Sequence, residues 1–174
     1  MFRLTIVLRA ASATALITTF ALGGGATATA DPNTGSTSDL NKLGGSMSKG
    51  YTLNNCQPQE VSGGILAEAI CGQNPDSNGP SGAMYFLLGS ASDLDFSFKH
   101  VLGKFTPAAC SSDTGQSPTT WSQSGQTGGK LACGTDNNQP AVLWTNDSKS
   151  VLGEIRGSQG SDLGALYKWW QANG

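Results

Sequence analysis

The four cysteines, Cys56, Cys71, Cys110 and Cys133, limit the folds open to this chain more than any other feature, and none sits in a CxxC or similar close pair of the kind that holds zinc. An even number of widely spaced cysteines in an exported chain reads as two disulfides. The export reading comes from residues 1–30. Arg3 and Arg9 bracket a short basic start, and "AASATALITTFAL" follows as an apolar stretch. That stretch is too short to span a bilayer core of about 30 Å. Gly23, Gly24 and Gly25 break it, and Ala28-Thr29-Ala30 offers the small-x-small pattern of a signal-peptidase site. A signal peptide over 1–30 is expected, cleaved before Asp31. No cysteine near that point invites a lipid anchor, so the expectation is a protein of the cell envelope or medium without a membrane anchor.

Residues 31–174 hold all twelve acidic residues and eight of the ten Lys and Arg, a formal net charge of about −4. Nucleic acid and anionic lipid both select clustered Lys and Arg, and no basic stripe exists. Neither is expected as a partner. The length suits one domain. Residues 31–50 are Ser, Thr, Gly and Asn with few bulky apolar side chains, and read as a flexible tether. The core-forming domain is expected over 51–174.

Within it a phrase recurs. "GGILAEAICG" and "GGKLACG" each lead through a turn-rich segment, "QNPDSNGPSG" or "TDNNQP", into an apolar strand, "AMYFLLG" or "AVLWTN". The second copy adds "SVLGEIRG". Each copy ends in an amphipathic helix. In the first, Ser90 or Ser92 caps and Leu94, Phe98, Val101, Leu102 and Phe105 recur at helical spacing. In the second, Ser161 caps, Asp162 suits the helix N-terminus, and Leu163, Leu166, Tyr167 and Trp170 share a face. If the copies are equivalent, the simplest pairing is Cys56–Cys71 and Cys110–Cys133, although four cysteines allow three connectivities. The expected fold class is α+β: an antiparallel sheet of about four to six strands with both helices on one face, built from two similar strand-turn-strand-helix units.

Catalytic constellations are sparse. His100 is the only histidine and no G-x-S-x-G elbow accompanies it; by helical phase it neighbours Phe96 and Lys104 and reads as a solvent-edge residue. A pair of carboxylates drawn from Glu60, Glu68, Asp93, Asp95 and Glu154 is the other route to a hydrolase. Asp93 and Asp95 already have a role at a helix start. "NPDSNG" from Asn74 resembles the opening of a calcium loop, but Tyr85 stands where the bidentate Glu belongs, and turn chemistry explains the same residues. No metal, nucleotide or other cofactor is expected. The aromatic residues remain: Trp121, Trp144, Trp169 and Trp170 all fall in the second half. Trp170 fits the buried stripe, while Trp169 lies about 100° away on its flank. Aromatic side chains commonly line pockets, so Trp121, Trp144, Tyr167 and Trp169 are the candidate ligand-binding residues.

Trp121, "GGKLACG", "AVLWTN" and the terminal "DLGALYKWW" together resemble a pattern in small exported actinobacterial, particularly mycobacterial, proteins. The same pattern resembles extracellular segments attached to actinobacterial Ser/Thr protein kinases, over most of 51–170. The resemblance implies a sensor-like, ligand-receiving domain without the catalytic half. The chain has no Gly-rich loop, HRD-type loop or DFG. A non-enzymatic binding domain for a small molecule, glycan or envelope protein is therefore the leading expectation. A secreted interaction factor with a flat surface and a hydrolase using His100 or two carboxylates are the alternatives.

Overall fold

In "AVLW" the four residues Ala141, Val142, Leu143 and Trp144 are all buried. A strand gives neighbouring side chains opposite faces, so a continuous buried run requires a strand covered on both sides. That strand is β7, near the middle of the sheet. The structure is a computed structural model describing residues 33–112 and 115–174; the expected signal peptide lies outside the described residues. The strands are β1 (Cys56–Pro58), β2 (Ile65–Cys71), β3 (Gly82–Leu88), β4 (Thr106–Ala108), β5 (Thr119–Gln123), β6 (Gln126–Asp136), β7 (Gln139–Asn146) and β8 (Val151–Arg156). The helices are α1 (Thr37–Gly44), α2 (Ala91–Leu102) and α3 (Leu163–Asn173).

The eight strands form one antiparallel sheet in the order β1-β2-β3-β8-β7-β6-β4, with β5 also paired to β6. The class is α+β, with more strands than the four to six expected. The outermost strands β1 and β4 are three residues each, and each contains a proline, Pro58 or Pro107. The disulfides are Cys56–Cys71 and Cys110–Cys133. One row of register partners crosses the sheet from Cys56 through Cys71, Ala83, Ile155 and Val142 to Cys133. The two cystines thus clip opposite ends of a single row.

Two expectations are corrected. α2 and α3 do not share a face. Val142 and Trp144 pack with Leu166, Tyr167, Trp169 and Trp170 of α3. Ala141 and Leu143, the alternate residues of the same strand, pack with Leu94, Phe98 and Val101 of α2. β8 stands between β3 and β7, and the strand order mirrors about it. A rotation that carries β1-β2-β3 onto β4-β6-β7 turns the sheet over, and so sends the two helices to opposite sides. Both cystines nevertheless lie on the α3 face, which that rotation cannot produce. The halves share strand order without being superimposable copies.

The second correction concerns residues 31–50, expected as a tether. Thr37–Gly44 forms α1, capped by the Ser36 side chain, and buries Leu40 and Leu43 in the core beside α3. Backbone bonds from Val61 N–H to the Asn33 carbonyl and from Lys49 N–H to the Asn173 carbonyl tie its flanks to the domain. Two leucines three residues apart dock a two-turn helix whatever the mean composition around them. A smaller difference is the α3 cap, which is Asp162, its Oδ1 accepting from the Ala165 N–H at 2.7 Å, rather than Ser161.

Candidate functional site

A second row of partners, Ala69, Tyr85, Gly153, Trp144 and Leu131, runs beside the cystine row on the α3 face. Gly153 has no side chain, and the Trp144 indole occupies the space a Cβ would take. From that seat an aromatic column extends both ways. Tyr51 meets Tyr85 edge-on at 5.9 Å, Tyr85 meets Trp144 at 6.1 Å, Trp144 meets Trp170 at 5.6 Å, and Trp170 meets Trp121 at 5.6 Å. Tyr167 stacks on Trp170 at 5.7 Å. Trp121 reaches the column from β5: its ring lies over Gly128, and its Nε1–H donates to the Thr145 carbonyl at 2.8 Å.

Where the column meets the surface, β5 and α3 enclose a cleft of about 380 Å³. Its apolar wall is Trp121, Tyr167, Trp170 and Leu131, and its polar rim includes Thr120, Gln123 and Gln171. No lining side chain among the described residues is charged. Gln171 is held in place by donating its Nε2 to the Tyr167 hydroxyl at 3.1 Å.

Of the four candidate ligand residues, the structure brings Trp121 and Tyr167 together in this cleft. Trp144 lies beneath it, 4% exposed, supporting Trp170 from inside the core. Trp169 points elsewhere: its Nε1–H donates to Asp76 Oδ2 at 2.9 Å and fastens the "NPDSNG" turn to α3. The Asp76 carboxyl is held below the usual carboxylate range by the Asn78 N–H and then by that indole. Trp170, which sequence periodicity places in the core stripe, lines the cleft as well. A residue at the end of a helix can do both.

The remaining candidates are accounted for. Asn74 Oδ1 accepts from the Asp76 N–H and Asp76 Oδ1 from the Asn78 N–H, so the calcium-like loop spends these oxygens on its own turns. No group of His, Cys, Asp and Glu suited to a metal exists among the described residues. His100 is exposed and stacks on Phe96 at 6.2 Å; it makes no hydrogen bond to a hydroxyl or carboxylate among the described residues. Asp93 accepts from the Ser90 hydroxyl at the α2 cap. Asp95 is bridged by Lys130 and Lys99, which hold its carboxyl low. Glu68 and Glu154 line a separate groove on the α2 face.

The chain matches no protein-family model, no curated protein and no solved structure. Fold and site alone define the class: a small α+β domain, clipped by two cystines, with an aromatic cleft. Two disulfides are consistent with an extracellular protein. No helix among the described residues is long and apolar enough to cross a membrane.

Proposed function

We propose that this chain is an exported, non-enzymatic binding domain of the cell envelope or medium, whose ligand is a neutral glycan taken into the cleft between β5 and α3. The observation that carries this reading is the lining: three aromatic rings beside amide and hydroxyl groups, with no charged side chain among the described residues. A sugar ring offers an apolar face to an indole and hydroxyls to amides. The signal-peptide pattern over 1–30 supports export, and the resemblance to extracellular segments of Ser/Thr kinases supports a sensor-like role without catalysis. Isothermal titration with neutral oligosaccharides, alongside tryptophan fluorescence, tests it. A glucan, galactan or arabinan fragment is expected to bind, and Trp121→Ala to weaken it at least tenfold, about 1.4 kcal/mol. Absence of binding by any neutral oligosaccharide, or binding indifferent to Trp121→Ala, would sink the proposal.

A further inference from the structure

The α2 face of the sheet is only half covered. Ile70 on β2 is 41% exposed and Phe96 on α2 is 71% exposed. Between α2 and the uncovered strands runs a groove of about 350 Å³, with Met84, Phe86 and Leu152 on its floor and Phe96 on its wall. Glu154 stands on the same floor, in the row that joins Met84 to Leu143. It is fully buried. Its Oε1 accepts from Arg156 Nε, and its Oε2, also buried, has no partner among the described residues.

Arg156 does not reach it. The Arg156 Nη2 is already 2.8 Å from Oδ2 of Asp136, itself buried, so one guanidinium serves two carboxylates. Glu68, in the same groove, has no ion-pair partner among the described residues, and Lys104 is the other cation of the lining. Counted together, Glu68, Glu154 and Asp136 outnumber Arg156 and Lys104 by one; His100 sits at the rim. A buried carboxylate oxygen without a donor is costly, and a fitting ligand is one that brings the donor. Burial, partly offset by Arg156, raises the Glu154 carboxyl, and burial raises Glu68. A cation beside Oε2 would lower both.

We propose that this groove binds an amphiphilic primary amine, its ammonium head against Glu154 Oε2 and its apolar chain along Met84, Phe86 and Phe96. The site lies on the opposite face of the sheet from the aromatic cleft and does not depend on what that cleft binds. The test is titration of the intact protein with dodecylamine, dodecanol and dodecanoate, each below its self-association limit. The contact is located by the NMR shifts of Phe96 and His100. Dodecylamine is expected to bind at one site at least tenfold more tightly than dodecanol, with dodecanoate weaker still. Glu154→Gln should remove the preference for the amine while leaving dodecanol affinity unchanged. Should that variant fail to fold, Glu68→Gln is expected to reduce amine affinity alone, and Phe96→Ser to reduce amine and alcohol together. Equal binding of amine and alcohol would reduce the site to an apolar slot. Tighter binding of dodecanoate would assign the head-group role to Arg156 and Lys104. Shifts at Trp121 instead of Phe96, or no binding at all, would likewise overturn the proposal.

Discussion

The two faces of the sheet treat buried polarity in different ways. On the face covered by α1 and α3, the buried polar groups are neutral: the Tyr51 and Tyr85 hydroxyls have backbone partners, while Ser48 Oγ and Trp170 Nε1 have none among the described residues. Tyr51 donates its hydroxyl to the Gly72 carbonyl, and the Ser48 N–H donates to the Tyr85 hydroxyl. Burial pushes the Tyr51 phenol up to about 12 and Tyr85 higher still. Both stay uncharged at any physiological pH. On the α2 face the buried groups are ionisable, and one guanidinium is divided between Glu154 and Asp136. The same strands supply both faces through alternate residues. One face closes with two helices, seven aromatic side chains and two cystines, whereas the other keeps an open groove above an under-partnered acid. Stability and binding chemistry are thus separated by a single-residue step along β8, from Gly153 to Glu154.

Adjacent residues of β7 test this separation most severely. Trp144→Ala is expected to cost about 3–5 kcal/mol, and Leu143→Ala on the α2 side less, within about 2–4 kcal/mol. Denaturant unfolding of the two variants measures the difference, and a reversed order would show that the aromatic face is not the stronger one. Next come the cystines. Replacing either pair by alanine should remove about 3 kcal/mol. The loops span 15 and 23 residues, so the Cys110–Cys133 pair should count for only about 0.4 kcal/mol more. A much larger gap would mean that the two edges are unequal.

The pH dependence sharpens the contrast further. The carboxyls of Glu154 and Glu68 are raised in the folded protein. Their favourable contribution is therefore full below the unfolded carboxyl range and lost as pH climbs through the folded values. Asp76 and Asp95 are lowered, so theirs is present above the ordinary range and lost as pH falls through the folded values. Thermal unfolding from pH 3 to pH 8 should show both limbs, and Glu154→Gln should flatten the upper one while sparing the lower. The smallest effect belongs to the groove wall. Phe96→Ser should change stability by no more than about 0.5 kcal/mol, since this ring is 71% exposed. A large loss would make Phe96 part of the core instead of a free surface.

Local pattern was enough for much of the fold. Helical periodicity placed α2 and α3, and the recurrence about "ICG" and "ACG" matched each cysteine to its partner. What was not legible depends on distant parts of the chain. Which face of the sheet each helix packs on has no local signature. β5 was missed because "TTWSQ" is mostly exposed and polar, and nothing local marks Gly128 as the seat of the Trp121 ring. α1 was hidden by its composition. At the site, Trp121 and Tyr167 were legible by residue type alone, as aromatics of the kind that line pockets. The placement of Trp169 turned on Asp76, 93 positions away in sequence. For Glu154 a signal did exist: an acid inside the apolar run "SVLGEIR" must either leave the core or enter it as a charge, and it entered.

The short outer strands have a consequence for how these molecules meet one another. An unpaired strand edge is a template onto which another chain can add. Here each flank of the sheet ends in three residues, with a proline that cannot donate to a newcomer and a covalent clip that prevents fraying. Along the same side as β4, β5 is broken by a register shift at Trp121/Ser122. Reduction of the cystines would therefore do more than weaken the monomer. It would free β1 and β4 to peel away and expose the longer, more apolar β2 and β6 as edges onto which another chain can add.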